Sequence, residues 1–320
     1  MDLYRKAIAS GELTGLKKAV VENRIAAVSF ADSFNVSNVV IVSQGSGTPS
    51  ASTASTASTT SNGKYTFTYR VDKDGTAILC GAPCVNPEPE GVLVVPDKID
   101  GHTVTKIANN AVFKGCDKMT KVVLPPHLEE ILLTWCGMRN PGAIFEGCSA
   151  LESIEISKDN TNYTSENGVL YTKDKKRLLA YPKTRREIML PRETTTVGAS
   201  AFISCPFKTV KIPESVERVG LAFQSCPNLE VVEIPKSVTW IGPYAFDRSA
   251  NMKRVVFHGD APDAPPRRTK GKENIFTGSS KDIVVEVKKG SKGWKAKGST
   301  ELPERWPTTG RDSRPIRHIQ

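Results

Sequence analysis

The sequence predicts a β-rich repeat solenoid of the α/β type, with a parallel sheet along one face and a β cap at each end. Three observations carry that prediction. Val197 to Pro235 reads VGASAFISCPFKTVKIP and then VGLAFQSCPNLEVVEIP, two copies of one pattern. Pro191, Pro213 and Pro235 are spaced 22 residues apart. In each copy the last apolar residues alternate, as in Val232 and Ile234, which is the period of a strand. A fixed period of this length marks an array whose units bury their apolar faces only against one another.

The elements follow in chain order. Leu3, Ala7, Ile8, Leu13, Leu16, Val20 and Val21 recur near helical spacing, so residues 2–30 read as helix, and Val36–Gln44 reads as a short strand. Residues 1–44 carry no copy of the repeat. The stretch 45–63, GSGTPSASTASTASTTSNG, reads as a flexible linker, because small hydroxyl residues do not repay the entropy of ordering. Residues 64–103 read as an N-terminal β cap. YTFTYRV, the turn DKDG and TAIL make a hairpin, and GVLVVP and the turn KIDGH lead into VTKI. A solenoid end exposes unpaired core and strand edge, so a cap there is required.

The repeats occupy residues 104–260. The first runs from Val104 to Pro125, with Ala111 and Phe113 at the Ala-Phe position and Val112 read as an insertion. The second, Leu128 to Ile156, is interrupted by LLTWCGMRNPGA. Residues 157–187 form an insertion in which GVLY and RLLAYP read as two strands around TKDKK, either projecting from the array or stacked within it. The last copy, Val238 to Asp260, has Ser249 at the Cys position. Residues 261–320 read as a C-terminal cap and basic tail, with IVVEV as a closing strand and Trp306 and Ile316 as anchors.

Within each copy the Ala-Phe pairs (Ala201-Phe202, Ala222-Phe223, Ala245-Phe246) belong to the returning arm, with Phe filling the interior. Cys116, Cys148, Cys205 and Cys226 are expected to stack as a buried column, since Cys is small, apolar and a weak donor. Pro after the strand ends pairing at the same point in every coil. The full pattern, V-x-x-I-x-x-x-A-F-x-x-C-x-x-L-x-x-V-x-I-P, resembles the BspA-type leucine-rich repeat. With its caps the resemblance covers roughly Tyr65 to Ile316, and NYTSENGVLY…LLAYP resembles a variant found within such arrays. It implies an extended surface for adhesion or protein contact, often on bacterial or protist cell surfaces, and no catalytic residues.

The charge and the reactive residues narrow the function further. Net charge is +10, and His258 to Gln320 holds 14 Lys and Arg against 8 Asp and Glu. Arg267 to Lys272 and Lys288 to Lys297 therefore raise a second reading, electrostatic binding of nucleic acid or another anionic polymer, although no nucleic-acid motif accompanies them. No apolar run is long enough to span a bilayer, and the first twenty residues are too charged for a secretory signal. That leaves the compartment open, and a structural piece of a larger surface protein is a third reading. Cys80 and Cys84 in CGAPC are either a small-loop disulfide or two thiols. The Cys and His spacings suggest no zinc site, and no cofactor or catalytic set is expected. His102 and His258 read as turn residues, and Cys136 has only His127 nearby in sequence.

The preferred reading is a non-enzymatic protein-binding module. Its expected contact face comprises Lys211, Glu230, Glu233, Lys253 and Arg254, which lie between the apolar strand positions. Trp240 joins them, because it stands where other copies have Lys106 and Arg218. Trp135, Trp294 and Trp306 are further aromatic candidates.

Overall fold

The structure is a computed structural model. It describes residues 56–57, 65–80, 84–108, 112–131, 134–135, 138–139, 141–262, 275–276, 279–280, 282–294, 305–306 and 314–319. The helix and strand expected in residues 1–44 lie outside these. Residues 55–320 form one compact unit. No helix among the described residues is long and apolar enough to cross a membrane.

The solenoid is β-rich and each regular coil contributes two strands, so two parallel ladders run through the array. The long ladder contains the expected sheet: Thr209–Lys211, Val231–Ile234, Arg254–Phe257, Val284–Lys288 and Arg314–Ile319 pair in parallel order. The short ladder was not anticipated. It joins Arg177–Ala180, Thr196–Val197, Arg218–Val219 and Trp240–Ile241, also in parallel. Towards the N-terminus the same division recurs. Gly91–Val94, Met119–Val123 and Ser153–Glu155 form one ladder, and Ala77–Leu79, His102–Ile107 and Glu130–Ile131 form the other.

The chain passes from long strand to short strand through a turn opened by proline. The carbonyls of Pro125, Pro191, Pro213 and Pro235 each accept from the N–H three residues on, at 3.0–3.2 Å. A proline there interrupts the ladder and starts the corner in one step. After the short strand comes Gly198, Gly220 or Gly242. A Cβ on Gly198 would sit 2.5 Å from the Leu178 carbonyl oxygen of the preceding coil. Glycine is therefore what allows the coils to close up at this point.

The Ala-Phe corner then turns inward. Phe202, Phe223, Phe246 and Phe276 are fully buried and stack in a row, with centroids 5.0, 5.7 and 5.8 Å apart and planes within 19° of parallel. Phe113 and Phe145 stack the same way at 5.7 Å. Val112 is buried beside Phe113, and Cys116 follows Phe113 by three residues as Cys205 follows Phe202. Val112 therefore fills the alanine position and is not an insertion.

Both backbone groups of these phenylalanines are satisfied by the next coil. The N–H groups of Phe202, Phe223 and Phe246 donate to Ala222, Ala245 and Ile275 at 2.8–3.0 Å. Their carbonyls accept from side chains. Cys226 Sγ donates to Phe202 at 3.1 Å, Ser249 Oγ to Phe223 at 2.8 Å, and Ser279 Oγ to Phe246. Cys148 Sγ does the same for Phe113 at 2.9 Å. Two members of the expected column, Cys148 and Cys226, are thus donors, and Ser249 and Ser279 act in the same way further along. The residue before each column position, Gly115, Gly147, Ser204, Ser225 and Arg248, has φ between +52° and +80°, so a left-handed position recurs at this point of the coil, and Ser200 and Tyr244 add a second one in their coils.

The insertion is stacked within the array and has three strands. Tyr163–Glu166 and Val169–Thr172 pair antiparallel, and Arg177–Ala180 joins them to the short ladder. Two apolar cores meet here. Val169, Tyr171 and Leu178 pack into the C-terminal core, while Leu170, Leu179 and Ala180 pack into the N-terminal one. Successive side chains of VLY, and Leu178 and Leu179 of LLA, serve opposite interiors, which explains the unbroken apolar runs. Tyr181 takes the phenylalanine role, with its N–H on the Ala201 carbonyl at 2.9 Å and its ring 5.1 Å from Phe202. Buried Lys183 follows and donates to the Ile203 carbonyl at 2.5 Å.

The N-terminal hairpin pairs Thr66–Val71 with Ala77–Leu79 around the DKDG turn. Within the stretch read as a linker, Thr56 and Ala57 pair with Thr68 and Phe67. At the other end Trp294 is buried, with its ring 4.8 Å from Phe257 and its Nε1 donating to Gly259.

Three outcomes test this packing. Phe223→Ala opens a void between two stacked rings and should cost about 3–5 kcal/mol in denaturant unfolding; a loss below about 1 kcal/mol would place the ring outside the core. Ser249→Ala leaves the Phe223 carbonyl without its donor and should cost about 1–3 kcal/mol, with Ser249→Cys costing less. Burial of the Asp247 carboxyl pushes its pKa above the ordinary 3.8, against the pull of Arg248 and Gln224. The folded state therefore favours the protonated acid. That contribution is full below pH 3.8 and is lost as pH rises through the raised value. Asp247→Asn should be more stable than the parent at pH 7, and thermal melts should show the gap closing towards pH 3.8.

Candidate functional site

Because strand side chains alternate, each ladder shows one row to the core and one outward. On the long ladder Val210, Val232, Val255 and Val285 point inward and are buried. The contact residues expected from sequence are brought together on the outward side, where they neutralise one another. Lys211 faces Glu233 at 3.6 Å, and Lys253 and Lys208 reach Glu230 at 2.9 and 3.5 Å. His258 lies 3.5 Å from Glu233. Arg254 reaches the buried Glu286 at 3.5 Å, and Arg317 Nε donates to the same carboxylate at 2.9 Å. The Lys253 hydrogen bond holds the Glu230 carboxyl below its usual range. Positive and negative side chains alternate from coil to coil, so this face has little unpaired charge to offer a partner. Exposed pairs of this kind contribute little to stability as well.

Trp240 is not on that face. It stands on the short ladder, whose outward row in register is Arg177, Thr196, Arg218 and Trp240. The inward row beneath is Leu178, Val197, Val219 and Ile241, all buried. The Arg218 guanidinium carbon lies 4.4 Å from the centre of the Trp240 ring, a cation–π contact that fixes both groups. Trp240 is half-buried, while Arg177 and Arg218 are exposed.

These side chains edge a groove of about 590 Å³. Its floor is apolar, formed by Ile131, Leu179 and Ala199 with Gly198 and Gly220, and Tyr163 closes one side. The recess has a structural origin. The glycines that let the coils approach leave no side chain next to the Arg218 and Trp240 positions. Among the described residues no Asp or Glu lines the groove. Among the described residues neither Arg177 nor Arg218 has a carboxylate partner. The equivalent lysine of the N-terminal short ladder, Lys106, is paired with Asp72 at 2.6 Å.

The other sequence candidates resolve individually. Trp294 is a core residue, and the side chains of Trp135 and Trp306 lie outside the described residues. His102 Nδ1 sits 2.7 Å from the Gly75 carbonyl, in a turn. Cys80 and Cys84 are free thiols. Burial pushes the thiols of Cys84 and Cys148 up to about 12 and that of Cys116 up to about 11. It also raises those of Cys80, Cys205 and Cys226. Thiols so far from ionising are poor nucleophiles at neutral pH. Cys136 and Arg267 to Lys272 lie outside the described residues. Sequence reading missed Arg177, Arg218 and Tyr163; the signal available was the spacing of Arg218 and Trp240, 22 residues apart at equivalent repeat positions.

A family model described as BspA type leucine rich repeat region matches residues 98–168 and 180–265, in six copies. Among curated proteins none matches the chain. Solved structures similar to it include a leucine-rich repeat protein from Eubacterium ventriosum, at 25% identity and a TM-score of 0.47, over 62% of this chain and 48% of that one. A leucine rich cell surface protein from Faecalibacterium prausnitzii aligns at 20% identity and a TM-score of 0.35, over 62% and 54%. The T. pallidum leucine rich repeat protein aligns at 22% and 0.28, over 69% and 81%. The chain spans about half the length of the first two.

Proposed function

The repeats of this chain are of the BspA leucine-rich type, and from that premise we propose that it is a non-enzymatic module that captures a protein partner on the outward face of the short ladder. The observation that carries this reading is the row Arg177, Thr196, Arg218 and Trp240, edging an apolar groove with its guanidinium charge met by no carboxylate among the described residues. A half-buried Trp beside an Arg is the usual make-up of a contact hot spot. The backbone beneath is hydrogen-bonded from coil to coil, so the row is held in place before a partner arrives, and little ordering is needed on binding. The long-ladder residues Lys211, Glu230, Glu233, Lys253 and Arg254 serve chiefly to neutralise one another across neighbouring coils.

Two variants of the full chain, immobilised and exposed to envelope or host-surface extracts, separate these roles. Trp240→Ala should lower the amount of captured partner about tenfold or more, as expected for a contact worth about 2 kcal/mol. The combined Lys211→Ala, Glu230→Ala, Glu233→Ala and Arg254→Ala variant should capture within about twofold of the parent. The reverse ranking moves the site to the long ladder. Capture indistinguishable from an uncoated surface removes the binding reading.

A further inference from the structure

Resting on that binding reading, we infer that the groove selects an acidic peptide segment, one that carries a carboxylate at every third residue of an extended chain. Charge supplies the first part of the argument. Among the described residues Arg177 and Arg218 are the charged residues of the groove lining, both are positive, and both are exposed. Among the described residues no carboxylate meets either one, whereas Lys106, Lys211, Lys253 and Arg254 each face an acid within 3.6 Å. The acid that would complete the pattern has to come from the ligand. A guanidinium favours a carboxylate in particular, because its planar fork matches the two oxygens.

Spacing supplies the second part. Arg177, Thr196 and Arg218 occupy successive rungs in register. Rungs are about 4.8 Å apart, so the two arginine backbones stand roughly 10 Å apart. A polyproline-type chain rises about 3.1 Å per residue and returns to the same side every third residue, so its same-side groups recur at close to that spacing. Laid across the strands, such a segment puts one acid on each guanidinium. The residues between them face the floor of Ile131, Leu179 and Ala199, which suits proline or another apolar side chain. Trp240, one rung beyond Arg218, and Tyr163, two strands before Arg177, stand at the two ends of the path, and aromatic rings are what proline-rich chains pack against.

The probe is a fluorescein-labelled Glu-Pro-Pro-Glu-Pro-Pro peptide, titrated with the full chain and read by anisotropy. The expected result is saturable binding that weakens with added salt and falls by about tenfold or more when Gln replaces both Glu residues. Arg177→Ala with Arg218→Ala should abolish the preference for Glu over Gln. Arg218→Lys, which keeps the charge and loses the fork, should reduce it in part. The arginines are exposed, so thermal melts of these variants should match the parent. Equal binding of the Glu and Gln peptides overturns the proposal, as does a preference that survives the double substitution. Tighter binding of a glucuronate oligosaccharide at the same arginines overturns the peptide assignment. Trp240-dependent partner capture without any acidic-peptide preference sinks this inference alone, whereas loss of both takes the binding reading with it.

Discussion

The structure depends on one backbone carbonyl per coil. At the Ala-Phe corner the chain turns too sharply for its peptide groups to join either ladder. The phenylalanine carbonyl is left buried and pointing along the axis of the array. Leaving a buried carbonyl short of partners is costly, and the following coil supplies a donor from a Cys or Ser side chain, alongside the N–H three residues on at Phe113, Phe202 and Phe246. The donor must be small, must tolerate burial and must reach one coil back. Cysteine meets all three conditions with a weak bond, and serine meets them with a stronger one. Because each of these side-chain donors serves the previous coil, the array is cooperative through this contact as well as through its stacked rings.

The same requirement decides which residues are free for function. Prolines, glycines, phenylalanines and thiols are committed to closing the coil, and burial leaves the thiols chemically quiet. What remains is the outward row of each ladder, and the two rows differ. On the long ladder opposite charges alternate from coil to coil and satisfy one another. On the C-terminal part of the short ladder the corresponding positions hold two arginines and a tryptophan, over a floor kept low by glycine. A surface whose charges are already met is a poor recruiter, while one with unmet guanidinium groups beside an aromatic ring is a good one.

The repeat was plain in the sequence because its constraints are local. Phe202, Phe223 and Phe246 line up, and the Cys column, the proline punctuation and the N-terminal hairpin follow from spacing alone. The short ladder was not legible, since each regular rung is two residues long and two residues show no period. Without that ladder Trp240 could not be separated from Lys211 and Glu233, because which outward row a residue joins depends on the path between strands. Tyr181 was hidden for a similar reason. Its role as a stacked ring follows from its contacts with Ala201 and Phe202, whereas its sequence setting, LLAYP, reads as the end of a strand. Arg177 and Arg218 looked like ordinary surface charge until their register placed them two rungs apart with no acid between.

The hairpin within the array joins two interiors with a single layer of chain. Leu170 and Leu179 belong to one side, Tyr171 and Leu178 to the other, and the assignment alternates residue by residue. A slip of one position along this layer would send every one of those side chains into the wrong half. The layer therefore acts as an alignment key. Coils could be gained or lost at either extremity without disturbing it, but the two halves can meet in only one phase.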